Sequence, residues 1–468
     1  MAKSSGGKSG GREPQDRGGN GNGRLEPPNP GTTGRYLVLL RSEASRDGGK
    51  VLADIAGLRV ASTADFSEGV VDPDKLGDAN AVLMQELGVA VVDTPPEELR
   101  ALSSAAAAES SSILAVEPER IVYAMQDQAM FDVAPPAQRL GPMEPPRGSL
   151  DYFLGYRDAI NQLVARMAGG TAAEEAGTIP GPVLDEVQFT WGLQVTNVPA
   201  SQYSGRGIRV AVLDTGMDLQ HPDFLGRRIV AQSFIEGEDA QDGHGHGTHC
   251  IGTACGPRQP ATLPRYGIAY NAEIYAGKVL SNQGSGPDGG ILQGIEWAMR
   301  NQCAVVSMSL GAPVTIGQSY SRVFERVARR ALAAGTAIIA AAGNESERPG
   351  FIMPVGHPAN CPSIMAVGAI DAQFQVASFS CGGLNPDGGQ VDIAGPGVNI
   401  HSSWPRPILH RRLRGTSMAT PHVAGIAALI AESDPNARGR AMLQVLAQTA
   451  RRLNLLSRDV GAGLAQAP

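Results

Sequence analysis

The sequence predicts an α/β fold, a parallel sheet flanked by helices, preceded by a small α+β domain. Three observations predict it. From about Leu184 onward, apolar strand-like runs alternate with helical stretches; residues 35–125 read as a compact strand–helix–strand unit; and a proline-clustered stretch separates the two. Strands alternating with helices argue for a parallel sheet covered on both faces.

Residues 1–34 are Gly-, Ser- and Pro-rich. They offer too little apolar surface to offset the entropy of ordering, so a disordered tail is expected. The tail has positive charge but no apolar stretch of about 7–15 residues, which excludes a conventional signal peptide. A cytoplasmic location or a non-classical export route is therefore expected. From Arg35, "RYLVLLR" reads as a strand, and "LGVAVVDTPPEELRALSSAAAAESSSILAVEPERIVYAM" as strand, helix and strand. Pro95, Pro96, Glu97 and Glu98 after Thr94 mark the helix start. Residues 35–125 suit an α+β domain with a half-exposed antiparallel sheet. Residues 126–183 read as a linker, with one helical candidate, "SLDYFLGYRDAINQLVARM", among proline clusters.

Within 184–468, "GIRVAVLDTG", "AVVSMSLG" and "AIIAAAGN" read as strands. "GILQGIEWAMRNQ", "YSRVFERVARRALAAG" and "SMATPHVAGIAALIAES" read as helices. In such sheets chemistry gathers at the carboxyl ends of strands, where Asp214, Ser309 and Asn344 fall. A net charge of -7 argues against a nucleic-acid partner. No apolar run approaches the roughly 18 residues of a membrane span. Cys250, Cys255, Cys303, Cys361 and Cys381 contain no C-x-x-C pair and are too scattered for a disulfide scaffold. Cys361 and Cys381 lie in neighbouring loops that an exported chain could bridge. Cys250 is expected to be a small buried hydrophobe.

Three motifs follow in order: "VLDTG" with Asp214, "DGHGHGTHC" with His246, and "GTSMATPHVAG" with Ser417. They supply the carboxylate, imidazole and hydroxyl that nucleophilic acyl transfer requires. "AAAGN" ends on Asn344, whose amide can donate to a developing oxyanion, as can the Ser417 N–H at a helix start. Taken singly each has a bland reading: a strand-to-turn Asp, a helix-capping Ser, a turn Asn. His244, His246 and His249 also admit zinc, but their spacing fits no zinc motif and no Glu or Cys set accompanies them. "GSGPDG" matches a dinucleotide fingerprint, yet the acidic residue expected about 20 positions later is missing.

In this order the motifs resemble those of subtilisin-type serine peptidases, the subtilases. The likeness runs from "TWGLQVTNVPA" to "DVGAGLAQAP" and takes in "SMSLG", "GSGPDGGILQGIEWAM", "PSIMAVGAID" and "VASFS". It implies a serine endopeptidase in which Ser417 is the nucleophile, His246 the base and Asp214 its orienting carboxylate. Asn344 and the Ser417 amide form the oxyanion hole. His249 belongs to the motif without a catalytic role, and His244 to the preceding loop. Gly284, Ser285 and Gly286 form one substrate edge and Ser309, Leu310 and Gly311 the other, gripping an extended peptide by strand addition. Ser309–Gly311 and Ala341–Gly343 wall the S1 pocket above Gly356, with room for a bulky apolar P1 side chain, while Glu345 near the rim could also admit Lys or Arg.

"GVAVVDTPPEEL" and "AVEPERIVYAM" resemble the family's inhibitory propeptide. Residues 35–125 are accordingly expected to inhibit their own catalytic domain, with the maturation cut after Met125 or as far along as Gln188. A monomer acting on peptides or proteins, with no cofactor for the chemistry and no membrane partner, is implied. Many subtilases hold calcium in the loop after the histidine helix, together with an aspartate matching Asp223. Here that loop reads "GPRQPATLPRYG", without carboxylate or Asn, which argues against calcium there. Two other readings compete: a regulatory protein whose propeptide stays docked, and an α/β-hydrolase esterase. The esterase order Ser…Asp/Glu…His tells against the second.

Overall fold

A computed structural model describes residues 31–41, 44–66, 77–125 and 184–468. The linker helix expected within 126–183 lies outside these residues, as does the expected tail up to residue 30.

The N-terminal domain is built from β1 (Thr32–Leu40), α1 (Gly48–Ala56), β2 (Val60–Ser62), β3 (Ala81–Met84), β4 (Val89–Val92), α2 (Pro96–Ala107) and β5 (Ile113–Ala124). Its strands lie in the order β5-β1-β4-β3-β2, antiparallel except for the parallel pair β2–β3. Strand β1 begins at Thr32, inside the stretch expected to be tail, because Thr32 pairs with Arg120 of β5. Helix α2 starts at Pro96, whose missing N–H costs nothing in a first turn, and Glu97 and Glu98 favour that positive end.

Alternate residues of β1 face opposite sides of the sheet. Val38 and Leu40 join Leu52, Leu83, Val92 and Leu102 beneath α1 and α2. Leu37 and Leu39 join Val89 and Val91 in the core of the second domain. The sheet expected to be half-exposed is therefore covered on both faces. At roughly 1.5–3 kcal/mol for each fully buried large apolar side chain, that second face is a substantial docking surface.

The second domain runs α3 (Trp191–Val195), β6 (Arg209–Asp214), β7 (Ile229–Ser233), α4 (His246–Cys255), β8 (Glu273–Lys278), β9 (Ser285–Pro287) and α5 (Asp288–Arg300). It continues with β10 (Val305–Met308), β11 (Leu310–Gly311), α6 (Arg322–Ala333), β12 (Ala337–Ala341), β13 (Met365–Ile370) and β14 (Ile393–Pro396). The hairpin β15 (Ile400–Trp404) and β16 (Leu409–Leu413) leads to α7 (Thr416–Ser433), α8 (Arg440–Thr449) and α9 (Ser457–Val460). Seven parallel strands are ordered β14-β13-β12-β10-β6-β8-β7. On one face α5 and α6 pack against the sheet; on the other, α4 and the central helix α7 do. Helix α7 is buried from Thr416 to Ala431. No helix among the described residues is long and apolar enough to cross a membrane.

The domains meet through two helix N-termini, which carry partial positive charge. Glu117 accepts hydrogen bonds from Ser321 Oγ (2.6 Å) and the Arg322 N–H (2.7 Å) at the start of α6. Glu119, fully buried, accepts the Gly289 N–H (2.9 Å) at the start of α5 and is paired with Arg35 (2.7 Å). Hydrogen bonds to charged groups contribute about 1.5–3 kcal/mol each. Glu119→Ala should therefore loosen the interface, and amide exchange at Gly289 in the full-length chain should rise at least tenfold. Unchanged protection there would remove Glu119 from the docking account.

Candidate active site

The carboxyl edge of the parallel sheet gathers the residues singled out by sequence. Asp214 is the last residue of β6, His246 the first of α4, Ser417 the second of α7, and Asn344 follows β12. Asp214, His246 and Ser417 are all buried. His246 Nδ1 lies 2.7 Å from Asp214 Oδ1, which also accepts the Thr215 N–H at 2.7 Å. Burial opposes a charge on His246, but the adjoining Asp214 carboxylate outweighs it and raises the imidazole well above its ordinary pKa. His246 Nε2 is buried without a partner. The Ser417 hydroxyl is turned away from it, toward the carbonyls of Met125 and Ser309.

Two glycines make the histidine motif possible. Gly245 adopts φ +105°, and a Cβ there would drive into the Trp404 ring. A Cβ on Gly247 would strike the Gly216 carbonyl oxygen. Ahead of them, the buried Asp242 carboxylate accepts bonds from the His244, Gly245 and Thr248 N–H groups and from the Thr215 and Thr248 hydroxyls. It ties the aspartate turn to the histidine helix. Asp242 is missing from the sequence-derived set, although an acidic residue just ahead of a helix start is a recognisable anchor for its free N–H groups.

Lys278, also missed, is fully buried, and its Nζ donates to the carbonyls of Thr215 (2.7 Å) and Leu280 (3.1 Å) and to Asn282 Oδ1 (3.0 Å). His249 is a buried strut, its Nε2 on the Ile400 carbonyl at 3.0 Å, and burial lowers its pKa to about 3. His244 packs edge-on against His246, and its pKa is lowered by burial. Cys250 is buried as expected, with Sγ 3.9 Å from His246 Nδ1. The bridge considered for Cys361 and Cys381 is not formed: all five cysteines are free and buried. Cys361 Sγ points to the Ser321 carbonyl, and Cys381 Sγ to Glu345 Oε2 at 3.2 Å.

The cleft is filled by the chain itself. The end of β5 lies between two edges, antiparallel to both: Val122 and Tyr123 pair with Gly286 and Ser285, and Ala124 and Tyr123 with Leu310 and Gly311. The Ala124 N–H donates to the Gly284 carbonyl (2.8 Å) and the Met125 N–H to that of Ser309 (3.2 Å). The Met125 carbonyl accepts Asn344 Nδ2 at 2.7 Å together with the Ser417 hydroxyl. Thr416 fixes the Asn344 amide by donating its N–H and hydroxyl to Oδ1, both at 2.9 Å. The Ser417 N–H, expected beside Asn344, is not among the donors to this carbonyl.

The Met125 side chain is buried, with Cε where a Cβ on Gly311 would stand. Gly343 N–H donates to Thr416 Oγ1, and Gly356 N–H to the Ala342 carbonyl, so these wall residues are braced from behind. Asp223 offers no calcium-like donor set. Its carboxylate accepts the Ala261 N–H (2.7 Å), the Tyr266 hydroxyl (2.7 Å) and His410 Nε2 (2.9 Å). Calcium calls for six to eight oxygens.

Comparison with known proteins identifies the family. A profile of the Subtilase family matches residues 205–463. Subtilisin DY of Bacillus licheniformis is 38% identical over 262 residues, 56% of this chain and 90% of that protein. Subtilisin E of Bacillus subtilis (strain 168) is 41% identical over 250 residues, 52% of this chain and 61% of that protein. The alkaline protease of Alkalihalobacillus alcalophilus is likewise 41% identical, over 53% of this chain and 60% of its own length.

The raised His246 pKa has a testable sign. A raised pKa keeps the ring protonated above its usual range, and loss of the Asp214 charge should reverse this. In full-length Ser417→Ala protein, the His246 ring resonance should titrate with a midpoint above 6.5, and adding Asp214→Asn should bring it below. A midpoint indifferent to Asp214 would disprove the coupling.

Proposed function

Because this chain belongs to the subtilase family of serine endopeptidases, we propose that Asp214, His246 and Ser417 carry its chemistry and that it is made as a self-inhibited precursor cleaved after Met125. One observation carries the reading. The Met125 carbonyl lies against both Asn344 Nδ2 and the Ser417 hydroxyl, on a strand gripped from both sides. That is the arrangement of a scissile bond.

In this reading Ser417 Oγ turns from the carbonyl oxygen to the vacant His246 Nε2 and attacks the Met125 carbonyl carbon. His246 takes the hydroxyl proton, and Asp214 stabilises the imidazolium. Asn344 holds the oxyanion, the charge that develops only in the transition state. Collapse breaks the bond after Met125, His246 hands its proton to the leaving amine, and water later releases Met125 from Ser417. The N-terminal domain then remains as a bound product, held by its sheet face, by Glu117 and Glu119, and by β5 in the cleft.

The same strand suggests the substrate preference. Met125 and Val122 are buried, whereas Tyr123 is 48% exposed. Apolar side chains at the first and fourth positions before the cut are favoured, and the third position is permissive.

The decisive measurement is the intact mass of wild type beside Ser417→Ala. Wild type should yield a fragment ending at Met125, and the mutant should stay whole. If both stay whole, the chain is better read as a docked regulatory protein. Asn344→Ala should slow processing by about 10²–10³. Met125→Asp, which places a charge in an apolar pocket, should slow it at least tenfold in a time course.

A further inference from the structure

Beside the histidine helix, polar side chains from three segments converge in a cluster that takes no part in the triad or the cleft. His221 precedes the turn Pro222–Phe224, Tyr266 closes the loop after α4, and His401 and His410 come from the β15–β16 hairpin. One ligand-capable atom each from His221, Asp223 and His410 lies within 4.8 Å of the other two.

The hydrogen bonds around the cluster show which ring nitrogens face its centre. His221 Nε2 faces the Leu409 carbonyl at 2.8 Å and must donate to it, so Nδ1 carries a lone pair, now taken by the Asp223 N–H at 3.2 Å. His410 Nδ1 has the Thr262 hydroxyl at 3.4 Å, while Nε2 faces Asp223 Oδ2 at 2.9 Å. A metal-ligating histidine usually donates its other ring N–H to a carbonyl, carboxylate or water, and His221 Nε2 on the Leu409 carbonyl fits that pattern. The Asp223 carboxylate accepts from His410 Nε2, the Ala261 N–H and the Tyr266 hydroxyl. Tyr266 and Ala261 orient that carboxylate as outer partners would. His401 stacks on His410, ring centroids 5.3 Å apart, and its Nε2 is buried without a partner.

We propose that His221, Asp223 and His410 form a binding site for a first-row transition cation of the zinc class. Two imidazole nitrogens and one carboxylate oxygen suit such an ion, whereas calcium prefers an all-oxygen shell. The ion would displace the proton now shared between His410 and Asp223. It would pin the turn after β6 to the hairpin. The hairpin in turn supports α4: Ser402 and Ser403 hydroxyls donate to the His249 and Thr248 carbonyls, and the Ile400 carbonyl meets His249. The site is therefore structural, and it braces the helix that begins at His246.

The test uses chelator-treated full-length Ser417→Ala protein, titrated with Co2+ as a spectroscopic probe and with Zn2+ by calorimetry. One equivalent should bind, with the visible bands of nitrogen- and oxygen-ligated cobalt, no thiolate charge-transfer band, and a raised Tm. His410→Gln should weaken binding at least 100-fold. Thr262→Val, at an exposed position where folding is not at stake, should weaken it about tenfold through the outer partner of His410. Absence of binding at millimolar zinc would overturn the proposal, as would full affinity in His410→Gln. So would a thiolate band abolished by Cys250→Ala, which would place the ion with Asp214, His246 and Cys250 instead.

Discussion

Strand β5 belongs to two sheets at once. Its first half is hydrogen-bonded to β1 in the N-terminal domain, and its last residues run between β9 and β11 of the second. Side chains of a strand alternate, so a slip of one residue would turn every one of them to the opposite face. Val122 would leave its buried place and Tyr123 would be forced in. The Met125 carbonyl would lose Asn344. The apolar sheet face, the carboxylates at the starts of α5 and α6, and the carbonyl at Ser417 are thus set by one register. Each helps to hold the others.

Around that strand the second domain places fixed charges where few bonds would otherwise connect the loops. Parallel strands deliver Asp214 and Asn344 to one edge, but loops must deliver His246 and the strands β9 and β11. Asp242 links the aspartate turn to the start of α4, and Lys278 links the same turn to the loop before β9. A buried charge is tolerated only when its donors or acceptors are nearly complete. Both residues meet that condition by drawing on several segments, so moving any one segment leaves a charge short of partners.

Much of this was legible in the sequence because Asp214, His246 and Ser417 sit in glycine-rich motifs. Gly245 and Gly247 are required by the approach of Trp404 and of the Gly216 carbonyl, so the motif around His246 is tightly constrained. The parallel core was equally readable, since its strands are short continuous apolar runs. The same rule was available for "YLVLL" in β1, where an unbroken apolar run signals burial on both faces, and a half-exposed sheet was the wrong inference. The hairpin of β15 and β16 was not legible. "IHSSW" and "LHRRL" carry little apolar alternation, because the strands are stabilised by contacts with α4 and by the Arg406 grip on Asp218. Asp242 and Lys278 escaped notice for a related reason. Each also reaches the distant Thr215, Asp242 through the Thr215 hydroxyl and Lys278 through the Thr215 carbonyl, a link that no local pattern records.

Joining the N-terminal domain and the second domain in one chain has a thermodynamic consequence. While they are covalently linked, β5 meets the cleft at an effective concentration set by the tether, and dilution cannot separate them. With the backbone after Met125 opened, as proposed, the same contacts would have to hold a separate molecule, and occupancy of the cleft would fall as the protein is diluted. The sheet face and the two helix-capping carboxylates then decide at what total concentration the cleft empties. A single broken bond would turn a tether-limited equilibrium into a concentration-dependent one without altering one contact at the interface.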